Sequence, residues 1–117
     1  MIPSPPHLEV YYAPSCAPCR LELPVISGAL TAGKAIRILI VDDLVQANAQ
    51  LVAVSPRLLQ TAQMAQGQDA RDRLHRAGDG DGILPFTRVI GGKDQVCATW
   101  HGELTSWRIE ALLTHCH

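Results

Sequence analysis

Two cysteines three residues apart, Cys16 and Cys19, stand at the seam between two kinds of hydrophobic pattern, and few folds accommodate that arrangement. Upstream, residues 8–12 are short, β-branched and aromatic, which suits a buried strand. Ala13-Pro14-Ser15 breaks the pattern. From Cys16 onward Leu21, Val25, Ile26 and Leu30 recur at helical spacing, which predicts a helix over residues 16–32, closed by Gly33 and kinked at Pro24. Cys16 then faces the unpaired amides and positive dipole end of the helix, which favour its thiolate. Cys19 lies one turn further in, placed to attack a mixed disulfide at Cys16 and release the substrate thiol. Pro18 belongs in a first turn, where proline loses no helix bond.

Metal binding is the competing chemistry for such a pair. Cys16 and Cys19 could form half of a zinc or copper site completed by Cys97, His101, or the tail His115-Cys116-His117, as in a metal chaperone or sensor. A third reading is a binding module in which the dithiol is incidental. The strand–CxxC–helix context and Pro18 suit redox chemistry better than a metal knuckle. Asp79-Gly80-Asp81-Gly82 lacks the bidentate glutamate of a calcium loop and reads as a flexible turn.

Residues 35–41 form an apolar second strand, and strand–helix–strand makes a right-handed parallel crossover. Residues 44–51, 56–66 and 70–77 carry helix-favouring side chains, with Ser55 and Asp69 as caps. Residues 85–90 read as a third strand opening at proline, and 91–94 turn the chain into a fourth over 95–100. A last helix starts at Thr105 and aligns Ile109, Leu112, Leu113 and Cys116 on one face. The expectation is an α/β sheet with helices on both faces in one domain, residues 8–117, after an extended proline-rich linker, residues 1–7. Cys97 and Cys116 could bridge, but two small buried thiols are the favoured expectation.

With 117 residues and a formal net charge of −1, there is core enough for one domain and no bulk attraction to nucleic acid or anionic lipid. No apolar run approaches the roughly 18 residues of a membrane span. No leader peptide is visible, and the proline-rich start is where a leader or anchor could have been removed.

These motifs resemble thioredoxin-like proteins. Cys16-Ala17-Pro18-Cys19 and Pro24 stand where that superfamily has its CxPC and its helix proline, and Leu84-Pro85 is similar to its cis-proline. Residues 96–105 are similar to the final strand, glycine turn and capped last helix of thioredoxin. The run from Cys16 to Pro24, with Glu22, looks most like the TlpA/ResA group. The resemblance implies a central four-stranded mixed sheet flanked by helices, with a helical insertion before the cis-proline strand. It also implies a periplasmic or extracytoplasmic thiol reductase, or a cytoplasmic one if no leader or anchor was removed. Ser15 departs from the usual tryptophan before the first cysteine, Val10 replaces thioredoxin's buried acid, and the group's common N-terminal elements are not in these residues.

The expected site is therefore Cys16 as nucleophile, Cys19 as resolving thiol, and Glu22 as proton carrier for Cys19. Substrate would dock at Leu84, Pro85, His101 and Gly102. The bland alternative for Glu22 is a solvated carboxylate paired with Arg20 or Lys34, and for His101 a simply exposed strand end; Arg20 reads as a soluble flank. Such a protein needs no dissociable cofactor. It needs a disulfide-containing protein substrate and, as a reductase, a dithiol protein that restores its electrons.

Overall fold

The computed structural model describes residues 5–116, so residues 1–4 of the expected linker and His117 of the tail considered in the metal-binding alternative lie outside it. The strands are β1 (His7–Tyr12), β2 (Ile36–Ile40), β3 (Ala62–Met64), β4 (Phe86–Ile90) and β5 (Val96–His101). The helices are α1 (Ala17–Thr31), α2 (Leu44–Val54), α3 (Pro56–Gln60), α4 (Ala70–Arg76) and α5 (Ser106–His115). The sheet order is β3-β2-β1-β4-β5. β1 runs parallel to β2 and antiparallel to β4, β2 parallel to β3, and β4 antiparallel to β5.

The sheet is mixed and flanked by helices as expected, but it has five strands rather than four. The additional strand is β3, cut from the end of what composition predicts to be a helix over 56–66. Ser55 caps α3 and Pro56 opens it, and the helix ends at Gln60. Beyond it the free edge of β2 supplies backbone partners that pair Ile38 with Ala62 and Ile40 with Met64. Hydrogen-bonding groups on a neighbouring strand outweigh the modest helix preference of Ala, Gln and Met here.

Alternation along β1 divides the core. Leu8, Val10 and Tyr12 join Ile36, Ile38 and Ile40 beneath Leu23, Ile26 and Leu30 of α1, Leu51 of α2, Leu58 of α3, and Ile109 and Leu112 of α5. Tyr11, Leu39 and Phe86 face the other way, against Leu74 of α4 and Ala77. α1 continues through Pro24, whose exposed position leaves the unbonded Arg20 carbonyl within reach of water. Thr105 caps α5 by accepting from the Arg108 N–H at 3.0 Å.

Cys97 and Cys116 are joined in a disulfide, which overturns the expectation of two free buried thiols. Cys116 is buried at the end of α5, but Cys97 is exposed on β5, the edge strand. The helix returns to the strand that precedes it, and a solvent-facing sulfur there meets the buried one.

Candidate active site

Cys16 is the N-cap of α1, in extended conformation, with Pro18 in the first turn. Its Sγ accepts a hydrogen bond from the Cys19 N–H at 3.2 Å, one of the four amides that a helix N-terminus leaves unpaired. Cys16 and Cys19 form a disulfide with their Cα atoms 5.2 Å apart. The two sulfurs are unequal. Cys16 is half-buried between the two core clusters, whereas Cys19 is fully buried. Arg20 is more than a soluble flank, since its guanidinium donates to the Pro14 carbonyl and so ties the loop before Cys16 to α1. The Gln50 amide of α2 reaches the same carbonyl at 3.5 Å, and Gln50 also accepts from the Tyr12 hydroxyl.

Glu22 is 1% exposed, so the solvated alternative does not hold. Its Oε1 accepts from the Leu104 N–H at 2.9 Å, and its Oε2 has no partner. Burial pushes its carboxyl up to about 7; the Leu104 hydrogen bond opposes the shift and the nearby Glu103 charge adds to it. Lys34, the other partner considered, pairs with Glu110 at 2.6 Å.

The Leu84–Pro85 peptide bond is cis. Leu84 packs against the same two clusters as Cys16, which brings the start of β4 to the dithiol end of the sheet. The Pro85 carbonyl accepts from the Gly102 N–H at 3.1 Å. Gly102 has φ +128, so glycine suits this turn. His101 is half-exposed, stacks on Phe86 with centroids 5.0 Å apart, and meets Asp79 Oδ1 through Nε2 at 3.1 Å.

No protein-family model matches the sequence, and neither does any curated protein. Solved structures do match. A thioredoxin-related protein from Neisseria meningitidis serogroup B is 21% identical, with a TM-score of 0.78 over 96% of this chain and 84% of that one. A thiol:disulfide interchange protein of the thioredoxin family from Chlorobium tepidum TLS is 19% identical, with a TM-score of 0.67 over 96% and 79%. StoA from Bacillus subtilis is 13% identical, with a TM-score of 0.65 over 92% and 81%. The chain has the thioredoxin-like fold.

Within this thioredoxin-like fold, the residues singled out from sequence converge on one end of the sheet. Cys16, Cys19 and Glu22 come from the start of α1, Leu84 and Pro85 from the entry to β4, and His101 and Gly102 from the end of β5. The metal alternative is not supported, because Cys16 is bonded to Cys19 and Cys97 to Cys116, which withdraws all four cysteines from a ligand set. Among the described residues no three His, Cys, Asp or Glu side chains gather around a common point. Sequence reasoning missed Asp79 and Gln50. Asp79 sits in a glycine-rich turn that reads as solvent-exposed, and nothing in the sequence marks its partnership with a residue 22 positions later.

Proposed function

We propose that this protein is a thiol–disulfide oxidoreductase that reduces disulfides in partner proteins through Cys16 and Cys19. The observation that carries this reading is the asymmetry of the pair: a half-buried sulfur at a helix N-terminus, hydrogen-bonded by an amide, in front of a fully buried one. In the reduced state the Cys16 thiolate attacks a substrate disulfide. One substrate sulfur leaves as thiolate and takes a proton, and the other is held on Cys16. The Cys19 thiol gives its proton to the Glu22 carboxylate and attacks Cys16 Sγ, releasing the second substrate thiolate, which takes up a proton. The product is the Cys16–Cys19 disulfide, and a dithiol donor protein resets it by the reverse exchange.

Leu84, Pro85, His101 and Gly102 form the docking edge, where the exposed backbone beside Leu84 pairs with an extended substrate segment. The run from Cys16 to Pro24, with Glu22, supports a role like that of the TlpA/ResA group. A second disulfide at Cys97–Cys116 supports work in an oxidising, extracytoplasmic compartment.

Insulin reduction and equilibration with glutathione test the proposal. Cys16→Ser abolishes turnover, Cys19→Ser accumulates a mixed disulfide through Cys16, and the potential of the pair lies below that of glutathione. A pair that is fully reduced by glutathione overturns the reductase assignment, and a Cys16→Ser protein that still turns over overturns the reaction itself.

A further inference from the structure

Among the described residues, Glu22 and Asp79 are the two buried carboxylates, and the exchange reaction proposed above uses only Glu22. Asp79 follows α4, with its N–H donating to the Leu74 carbonyl at 2.9 Å and its own carbonyl accepting from the Gly82 N–H at 3.2 Å. Its side chain has no exposure; Oδ1 meets His101 Nε2 at 3.1 Å, and Oδ2 has no partner. A carboxylate withdrawn from water costs several kcal/mol, and His101 is the one side chain that its oxygens meet among the described residues, able to offset part of that cost when the ring carries a proton. The imidazole is fixed on its other side by Phe86, 5.0 Å away between centroids, and its side chain is 48% exposed. With Nε2 committed to Asp79, Nδ1 is the nitrogen left for another partner. The next residue, Gly102, holds the Pro85 carbonyl, and His101 pairs with Phe86, the residue after Pro85, so the imidazole belongs to the strand position adjoining the edge where substrate would dock.

We propose that Asp79 is a positioning residue that holds His101 as a cationic hydrogen-bond donor beside the Leu84–Pro85 edge, and that His101 thereby selects disulfide substrates whose docked segment carries a carboxylate. The inference rests on the exchange reaction proposed above. Asp81 and Glu103, two residues from either member of the couple, are both exposed and acidic. They remove any long-range attraction for an acidic segment, so the preference comes from contact at His101 and persists at ~0.15 M salt, where charges beyond about 8 Å are screened.

Peptide disulfides with Glu, Ala or Lys beside the cysteine, compared by kcat/KM at that salt, test the assignment, with hydroxyethyl disulfide as a reference that carries no charge. The protein prefers Glu over Lys by about fivefold, the scale of a half-exposed charge-assisted pair. Asp79→Asn and His101→Gln bring the ratio close to one, and His101→Lys, which restores a cation, recovers part of it. Should Asp79→Asn not fold, His101→Gln decides, since that side chain is half-exposed. Exchange with hydroxyethyl disulfide but no preference among the peptides overturns this inference alone, as does a preference that survives both substitutions. No exchange with hydroxyethyl disulfide overturns the parent reaction.

Discussion

Glu22 owes its chemistry to what packs over it. Its position three residues after Cys19 was legible in the sequence, because helical spacing puts the two on adjoining parts of one face. Its burial was not, because that depends on the chain at Leu104 returning to cover α1. The consequence is measurable. The folded carboxyl titrates near 7 against an ordinary 4.5, so the folded state binds a proton that the unfolded state releases. The associated stability is fully present below about pH 4.5 and is lost as pH rises through 7. At one pH unit per ~1.4 kcal/mol, the loss by pH 8 is on the order of 3 kcal/mol. Urea midpoints at pH 5 and pH 8 should therefore differ in the wild type, and Glu22→Gln should flatten that difference. Asp79 was hidden more completely than Glu22. A short acid between glycines carries no periodic signal, and its partner belongs to a strand beyond the next hairpin turn.

At the scale of elements, the parts read most directly were those whose pattern repeats. β1, α1 and β2 announce themselves by alternation, by helical spacing and by an apolar run, and α5 by its Thr105 cap. β3 was illegible because three residues are too few to establish a period, and because its partner, not its composition, makes it a strand. The turn at Gly102 joins β5 to α5 and holds the Pro85 carbonyl. A Cβ there would lie 3.6 Å from the Trp100 indole, so space is available and the cost of Gly102→Ala is backbone strain at φ +128. Thermal denaturation should show a loss of about 1–2 kcal/mol. Turnover of protein disulfides should slow as well, because the strain falls on the amide that fixes Pro85.

For the molecule as a whole, the Cys97–Cys116 disulfide closes the chain from its edge strand to its last helix, across a separation of 19 residues. Sequence could not decide the pairing, since it places both cysteines on the same half of the chain without saying which face of β5 each meets. A loop of this size constrains the unfolded chain by about 3 kcal/mol. The Cys97→Ala/Cys116→Ala double variant should lose stability of that order in urea unfolding while keeping the Cys16–Cys19 potential unchanged. The register of the sheet puts this bond far from the dithiol. Tyr11 and Phe86 pair at the active end, His7 and Ile90 at the other, and Cys97 enters β5 beside the latter. Four residues of strand separate the two ends, roughly 13 Å. A thiolate must touch the sulfur it attacks, so Cys16 cannot reach Cys97 within one molecule. Reduction of this bond by the protein's own kind requires a second copy, and its rate rises with the square of concentration. In dilute protein the Cys97–Cys116 bond is thereby kept out of reach of the Cys16–Cys19 pair that shares its chain.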